Sequence, residues 1–177
     1  MASAFGHALV AGTIGSSYGS TYRSWKFWLL GVFCAVVPDA DVLAFRFGIP
    51  YEHVLGHRGI THSLFFSALL GMFVTALFFR EIRLWSRKGL LLLLFFFLCT
   101  ASHALLDALT NGGRGVALLA PFDNTRYFFP WRPIQVSPLS IDRFFSHWGW
   151  RVIRSELVWI GIPCLLYTAA MRLRRGL

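Results

Sequence analysis

Four stretches of this chain, residues 25–47, 60–79, 89–111 and 152–171, are long and apolar enough to cross a bilayer, which takes about 20 mostly apolar residues per helix. In hydrocarbon every backbone N–H and C=O must find its partner inside the protein, so such segments fold as α-helices. A fifth segment, 2–17, is shorter and rich in Gly and Ser, which permits close helix packing. The chain has 177 residues and is 56% hydrophobic, with a mean hydropathy of +0.58. Soluble domains are usually about 45–50% apolar, so water is not the only solvent here. The expectation is one domain, residues 1–177, of all-α class: a polytopic membrane bundle of about five transmembrane helices.

The formal charge of +9 comes from 15 Arg and 2 Lys against 8 acidic residues. In a membrane protein such an excess is first a matter of topology, so no nucleic acid partner is expected. With five crossings, three basic clusters fall on one side: Arg23 with Lys26, then Arg80, Arg83, Arg87 and Lys88, then Arg172, Arg174 and Arg175. The positive-inside rule puts that side, and the C-terminus, in the cytoplasm, with the N-terminus and loops 48–59 and 112–151 outside. The apolar stretch nearest the N-terminus has no basic region ahead of it and contains Gly6 and His7, so it reads as a retained helix. Cys34, Cys99 and Cys164 sit singly in apolar segments and read as core fillers, which leaves no thiolate site and no disulfide framework. The outer loop of about 40 residues is rich in aromatics and carries Pro121, Pro130, Pro133 and Pro138, which marks it as a cover over the bundle.

Ionisable residues within the spans carry the chemistry, because each costs about 2.5–3.5 kcal/mol to insert and needs a partner, a cavity or a task. Pro38 interrupts the second span beside Asp39 and Asp41, letting two carboxylates approach one cavity. His103 and Asp107, four residues apart, share a helix face. The third span opens with His57-Arg58-Gly59-Ile60-Thr61-His62-Ser63, where Thr61 is placed to cap the helix, His62 to point inward and Arg58 to stand at the mouth of an anion site. With alternating crossings, His7, Asp39, Asp41, His57, His62, His103 and Asp107 converge near the outer face. Imidazole with carboxylate and no thiolate suits zinc, manganese or iron. One His–Asp pair is equally well a structural hydrogen bond; burying all these groups together without a cation would be costly. Glu52, His53, Asp123, Asp142 and His147 lie in loops and read as solvated.

These residues resemble the YdjM-like inner-membrane proteins, a family known as membrane-bound metal-dependent hydrolases. The likeness rests on His7, Pro38-Asp39-Ala40-Asp41, His57 to Ser63, Ser102-His103-Ala104-Leu105-Leu106-Asp107, Thr110-Asn111-Gly112-Gly113 and Pro121-Phe122. It implies a hydrolase of the bacterial inner membrane, with a more distant similarity to zinc-dependent phospholipases C. The expected site has His7, Asp39, His62, His103 and Asp107 as ligands to one or two divalent ions, zinc first and manganese second. Asp41 is expected as general base, His57 as the acid for the leaving group, and Arg58, with Arg114 and Arg126, as the phosphoryl clamp. The substrate class is a phosphoester in a lipid or lipid-linked molecule. The rival reading is a metal-binding transporter or ion-pathway protein that uses the same residues and breaks no bond.

Overall fold

The computed structural model describes residues 1–20 and 22–175. It is an α-helical bundle, and among the described residues there is no strand, only isolated bridges at Thr110–Ile134 and Val116–Tyr127. The helices are α1 (Ala4–Ser16), α2 (Trp25–Val36), α3 (Leu64–Phe78), α4 (Arg87–Ala108), the short α5 (Ile141–Phe144), α6 (His147–Glu156) and α7 (Ile162–Arg174). Three helical stretches are long and apolar enough to cross a membrane: Trp25–Phe47, Arg87–Ala108 and His147–Arg174. The remaining two segments read from the sequence are shorter helices, 13 residues in α1 and 15 in α3.

Serine punctuates the bundle. Ser3, Ser24, Ser63, Ser86 and Ser146 each accept a hydrogen bond from a backbone N–H of the helix they precede, satisfying donors that a helix start leaves free. The cap of α3 is therefore Ser63 and not Thr61, and the helix begins at Leu64, after a single 3₁₀ turn at Ile60–His62. The second span does not remain an α-helix. Pro38 lacks the N–H that would continue the α-helical ladder, so α2 stops at Val36 and continues as 3₁₀ turns over Val37–Phe47. Gly48, at φ 71°, ends them. The last span shows a second irregularity: Pro163 leaves one carbonyl of the preceding turn without a donor, and the helix widens to π over Leu157–Gly161.

Lipid tails are as apolar as leucine, so helices in a membrane are held together chiefly by close packing. At Gly71 of α3, a Cβ would stand 2.9 Å from Phe97 N and 3.0 Å from Leu93 O of α4; only glycine allows that approach. Phe27 of α2 stacks on Phe95 of α4 at 3.9 Å between ring centres, and Cys34, Ala35, Leu92 and Cys99 complete this core. All three cysteines are free and buried. The core fills the half of the bundle nearer the basic connections. Polar side chains fill the other half, at the N-terminal ends of α1 and α3 and the C-terminal end of α4.

The loop after α4 covers that polar end. Val116 and Tyr127 exchange two backbone hydrogen bonds of 2.9 Å, Asn111 N donates to Ile134 O at 2.9 Å, and Ile134 is buried. Trp131 meets Trp159 of the π turn edge to face at 4.9 Å, tying the cover to the last span. Phe47, Leu55 and Phe122 stay exposed around it.

Candidate metal centre

All seven histidine and aspartate residues singled out in the sequence come together. Asp39, His62, His103 and Asp107 each offer one ligating atom, and these atoms lie within 4.8 Å of one another. His62 Nε2 stands 3.0 Å from His103 Nε2, 3.7 Å from Asp39 Oδ1 and 3.6 Å from Asp107 Oδ2. His103 Nε2 is 3.3 Å from Asp39 Oδ1. The four residues are buried.

Protonation follows from the outer partners. His103 Nδ1 is 2.7 Å from Ala35 O, which can only accept, so the proton of the neutral ring sits on Nδ1. His62 Nδ1 is 3.1 Å from Asp41 Oδ2, which assigns its proton in the same way. With both rings neutral, two imidazole lone pairs then face each other; Asp39 Oδ1 beside them has no hydrogen-bond donor among the described residues, and Asp107 Oδ2 has only the Arg58 guanidinium, 3.0 Å away. Arg58 offsets the charge of Asp107, but the Asp39 carboxylate and the two imidazole lone pairs converge in a buried site with no cation of the chain between them, an arrangement that a metal ion would stabilise. The donor set fits a metal ion by chemistry as well as by spacing.

His7 lies just outside this group. Its ring stacks on His103 at 3.8 Å, its Nε2 is 3.6 Å from Asp107 Oδ1, and neither ring nitrogen has a hydrogen-bond partner. Asp107 Oδ1 also accepts the Ala2 N–H at 2.8 Å.

Asp41 is not the unengaged carboxylate expected of a general base. Four groups surround it: His57 Nδ1 at 2.6 Å, Thr61 Oγ1 at 2.6 Å, Arg58 N at 3.0 Å and His62 Nδ1 at 3.1 Å. It orients two imidazoles at once. Asp41, His57 and His62 are also close enough to form a second ligand group, but there His62 offers the nitrogen that already faces Asp41.

Arg58 does not stand at a mouth. Its backbone is left-handed, with φ 61°, a conformation costly for a side chain of this size and found where surroundings impose it. That turn sends the guanidinium inward, where it is buried, with Nε 3.0 Å from Asp107 Oδ2, Nη1 donating to Gly112 O at 2.9 Å and Nη2 to Thr110 Oγ1 at 3.1 Å. Gly113, at φ 90°, makes the space, since a Cβ there would lie 2.5 Å from Arg58 Nη1. Nor does the N-terminus of α3 form an open anion site, because Leu64 N donates to Leu118 O at 3.0 Å. Arg126 spends its guanidinium on the carbonyls of Tyr51 at 2.7 Å and His57 at 3.0 Å, and Arg114 pairs with Glu52 at the surface. Neither joins the site. Of the residues read as solvated in loops, Glu52, His53, Asp142 and His147 are exposed and Asp123 is half-exposed, but Asp142 lies in α5 and His147 opens α6.

The sequence profile of the YdjM inner membrane protein family matches residues 1–176. This chain belongs to the YdjM family. It is also 40% identical over 173 residues to inner membrane protein YbcI of Escherichia coli (strain K12), covering 96% of each chain. No solved structure matches. Membership identifies this YdjM-family protein as an inner-membrane protein, in keeping with its apolar helices.

One buried carboxylate escaped the sequence reading. Glu156, at the start of the π turn, accepts from Ser3 N and Ser3 Oγ, both at 2.5 Å. The signal was available: it is an acidic residue inside an apolar span, the criterion that singled out Asp107.

Proposed function

We propose that this protein is a membrane-embedded, metal-dependent hydrolase that cleaves a phosphoester bond in a lipid or lipid-linked molecule at the outer membrane face. The observation that carries the reading is the set of four buried acceptors from Asp39, His62, His103 and Asp107, facing one another beside an Asp41–His57 pair. Two imidazoles and two carboxylates with no thiolate suit zinc, with manganese as the second choice. A single ion is the simpler occupancy, because His62 would have to give up its bond to Asp41 to serve a second. His7, with both nitrogens unpartnered, stands ready as a further ligand or as a donor to Asp107.

When bound, a divalent cation supplies Lewis acidity: it makes water nucleophilic near neutral pH and withdraws charge from phosphoryl oxygens. The chain's own residues divide the remaining work. Asp41 holds the Nδ1 proton of His57, so His57 Nε2 is the nitrogen left to take a proton from water or return one to the leaving oxygen. Arg58 offsets the charge of Asp107 and holds it in place. The exposed Phe47, Leu55 and Phe122 would keep the rim of the cover in lipid, where the tail of a lipid substrate would lie. The basic connections at the opposite end favour a cytoplasmic C-terminus.

The test is metal analysis of the detergent-purified protein, followed by turnover of phosphatidic acid, phosphatidylglycerol and a prenyl diphosphate with and without EDTA. The expected result is metal at about one equivalent, hydrolysis abolished by EDTA, and a His57→Ala variant that keeps its metal but is slowed about 10²–10⁴-fold. If the metal-loaded protein turns over none of these lipids while variants of Asp39 or Asp107 alter metal flux into proteoliposomes, the protein is a transporter.

A further inference from the structure

At the end of the bundle away from the metal centre, α1, α2 and α7 enclose a recess of about 390 Å³. Its rim carries Arg23, Arg172 and Arg175, its floor includes Gly12, Trp28 and Met171, and among the described residues no carboxylate lines it. Arg175 is held across the rim by donating to Ser17 O at 2.5 Å. Three guanidinium groups gathered over an uncharged floor form a site for a phosphate group, which arginine matches in charge and hydrogen-bond geometry.

The recess has neighbours along α1. It shares Leu9, Thr13 and Thr168 with a second cavity of about 480 Å³ that runs between α1 and the last span past Leu157, Ile162 and Leu165. That cavity in turn shares Leu9 and Leu157 with a third of about 290 Å³, lined by Phe5, Gly6 and Ile160 and reaching Glu156. A cationic end bordering a row of apolar cavities matches the outline of a phospholipid. A free phosphate would use only the rim.

We propose that this recess binds an anionic phospholipid, its phosphate head group among Arg23, Arg172 and Arg175 and an acyl chain along α1 and α7. About two and a half turns of α1 separate His7 from Ser16, so this is a different site from the metal centre and does not depend on any hydrolytic activity.

Native mass spectrometry of the detergent-solubilised full chain, titrated with phosphatidylglycerol, phosphatidylcholine or inorganic phosphate, tests the proposal. Phosphatidylglycerol should be retained at least about tenfold better than phosphatidylcholine, and inorganic phosphate should compete weakly. Two variants should lose that preference: Arg23→Gln/Arg172→Gln/Arg175→Gln, which removes the rim, and Gly12→Phe, which fills the recess with every arginine in place. Space exists for the latter, since a Cβ on Gly12 meets nothing within 4 Å. Arg80→Gln/Arg83→Gln/Arg87→Gln removes as much charge outside the recess and should keep the preference. Equal retention of the two lipids, an equal loss in the last variant, undiminished binding in Gly12→Phe, or inorganic phosphate binding as tightly as the lipid would each overturn it.

Discussion

Arg58 Nε lies 3.0 Å from Asp107 Oδ2, while the backbone N–H of Arg58 donates to Asp41 Oδ2 at 3.0 Å, so one residue grips a carboxylate of the inner ligand group and one of the outer layer. Removing a single partner of a buried ion pair leaves an uncompensated charge and costs about 3–5 kcal/mol. Arg58→Ala should therefore lower the melting temperature strongly in EDTA. Saturating zinc should restore much of the loss, because a bound cation also offsets Asp107 and stabilises the folded state by mass action. Thermal unfolding in detergent at both metal levels is the measurement. An equal drop at each would show that Arg58 supports the fold without regard to the ion.

Asp39 and Asp41 are two residues apart, yet the structure gives them different work. Asp39 Oδ1 has no donor and faces His62 and His103, whereas Asp41 is surrounded by donors and reaches the inner group through His62 and, by way of Arg58, Asp107. Asp39→Asn should lose bound metal outright on purification. Asp41→Asn should bind the same stoichiometry with affinity about 10–100-fold lower, the usual consequence of losing an outer carboxylate behind a ligating histidine. Competition with a chelator of known affinity separates the two; equal losses would mean that Asp41 is itself a ligand.

The gathering of this site could be read from the sequence because it rests on one cost: a charge in an apolar span must be answered by another group, and helices of alternating direction bring the charged ends of α1, α2, α3 and α4 to one level. The spans were legible for the same reason, length and apolarity. What could not be read was where side chains point once the chain leaves regular geometry. Arg58 turns inward through a left-handed φ, its side chain held by Asp107, Thr110 and the Gly112 carbonyl in space that Gly113 leaves open. Asp41 is saturated because 3₁₀ turns at 37–47 and 60–62 set its oxygens against four donors at once. Helical periodicity carries no information about either.

Alternation of the helices also fixes a prediction of orientation. The connection between α3 and α4 carries Arg80 and Arg83, α4 opens with Arg87 and Lys88, and all four lie at the end opposite the metal centre. A cysteine at Glu81 should resist a membrane-impermeant maleimide added to intact cells, and a cysteine at Asn124 in the cover should react. A fusion after Leu177 lies beyond the described residues, but by the charge rule it should report the cytoplasm. Reversed labelling would place the metal centre on the cytoplasmic face.

Glu156 links the last span to the metal centre through the residues ahead of α1. Its carboxylate accepts both Ser3 N–H and Ser3 O–H; Ser3 caps α1, the adjacent Ala2 N–H donates to Asp107 Oδ1, and His7 follows one turn later, stacked on His103. Hydrogen bonds to a charged group contribute about 1.5–3 kcal/mol each, so Glu156→Ala should lower the melting temperature even without metal. The more telling effect concerns Asp107. With Ser3 released, the Ala2 N–H no longer holds Oδ1, and metal affinity should fall about tenfold at temperatures where both proteins are folded. Glu156→Gln keeps an oxygen for Ser3 and the same shape, so it should recover most of the affinity. A lowered melting temperature with unchanged metal affinity in Glu156→Ala would confine Glu156 to capping α1.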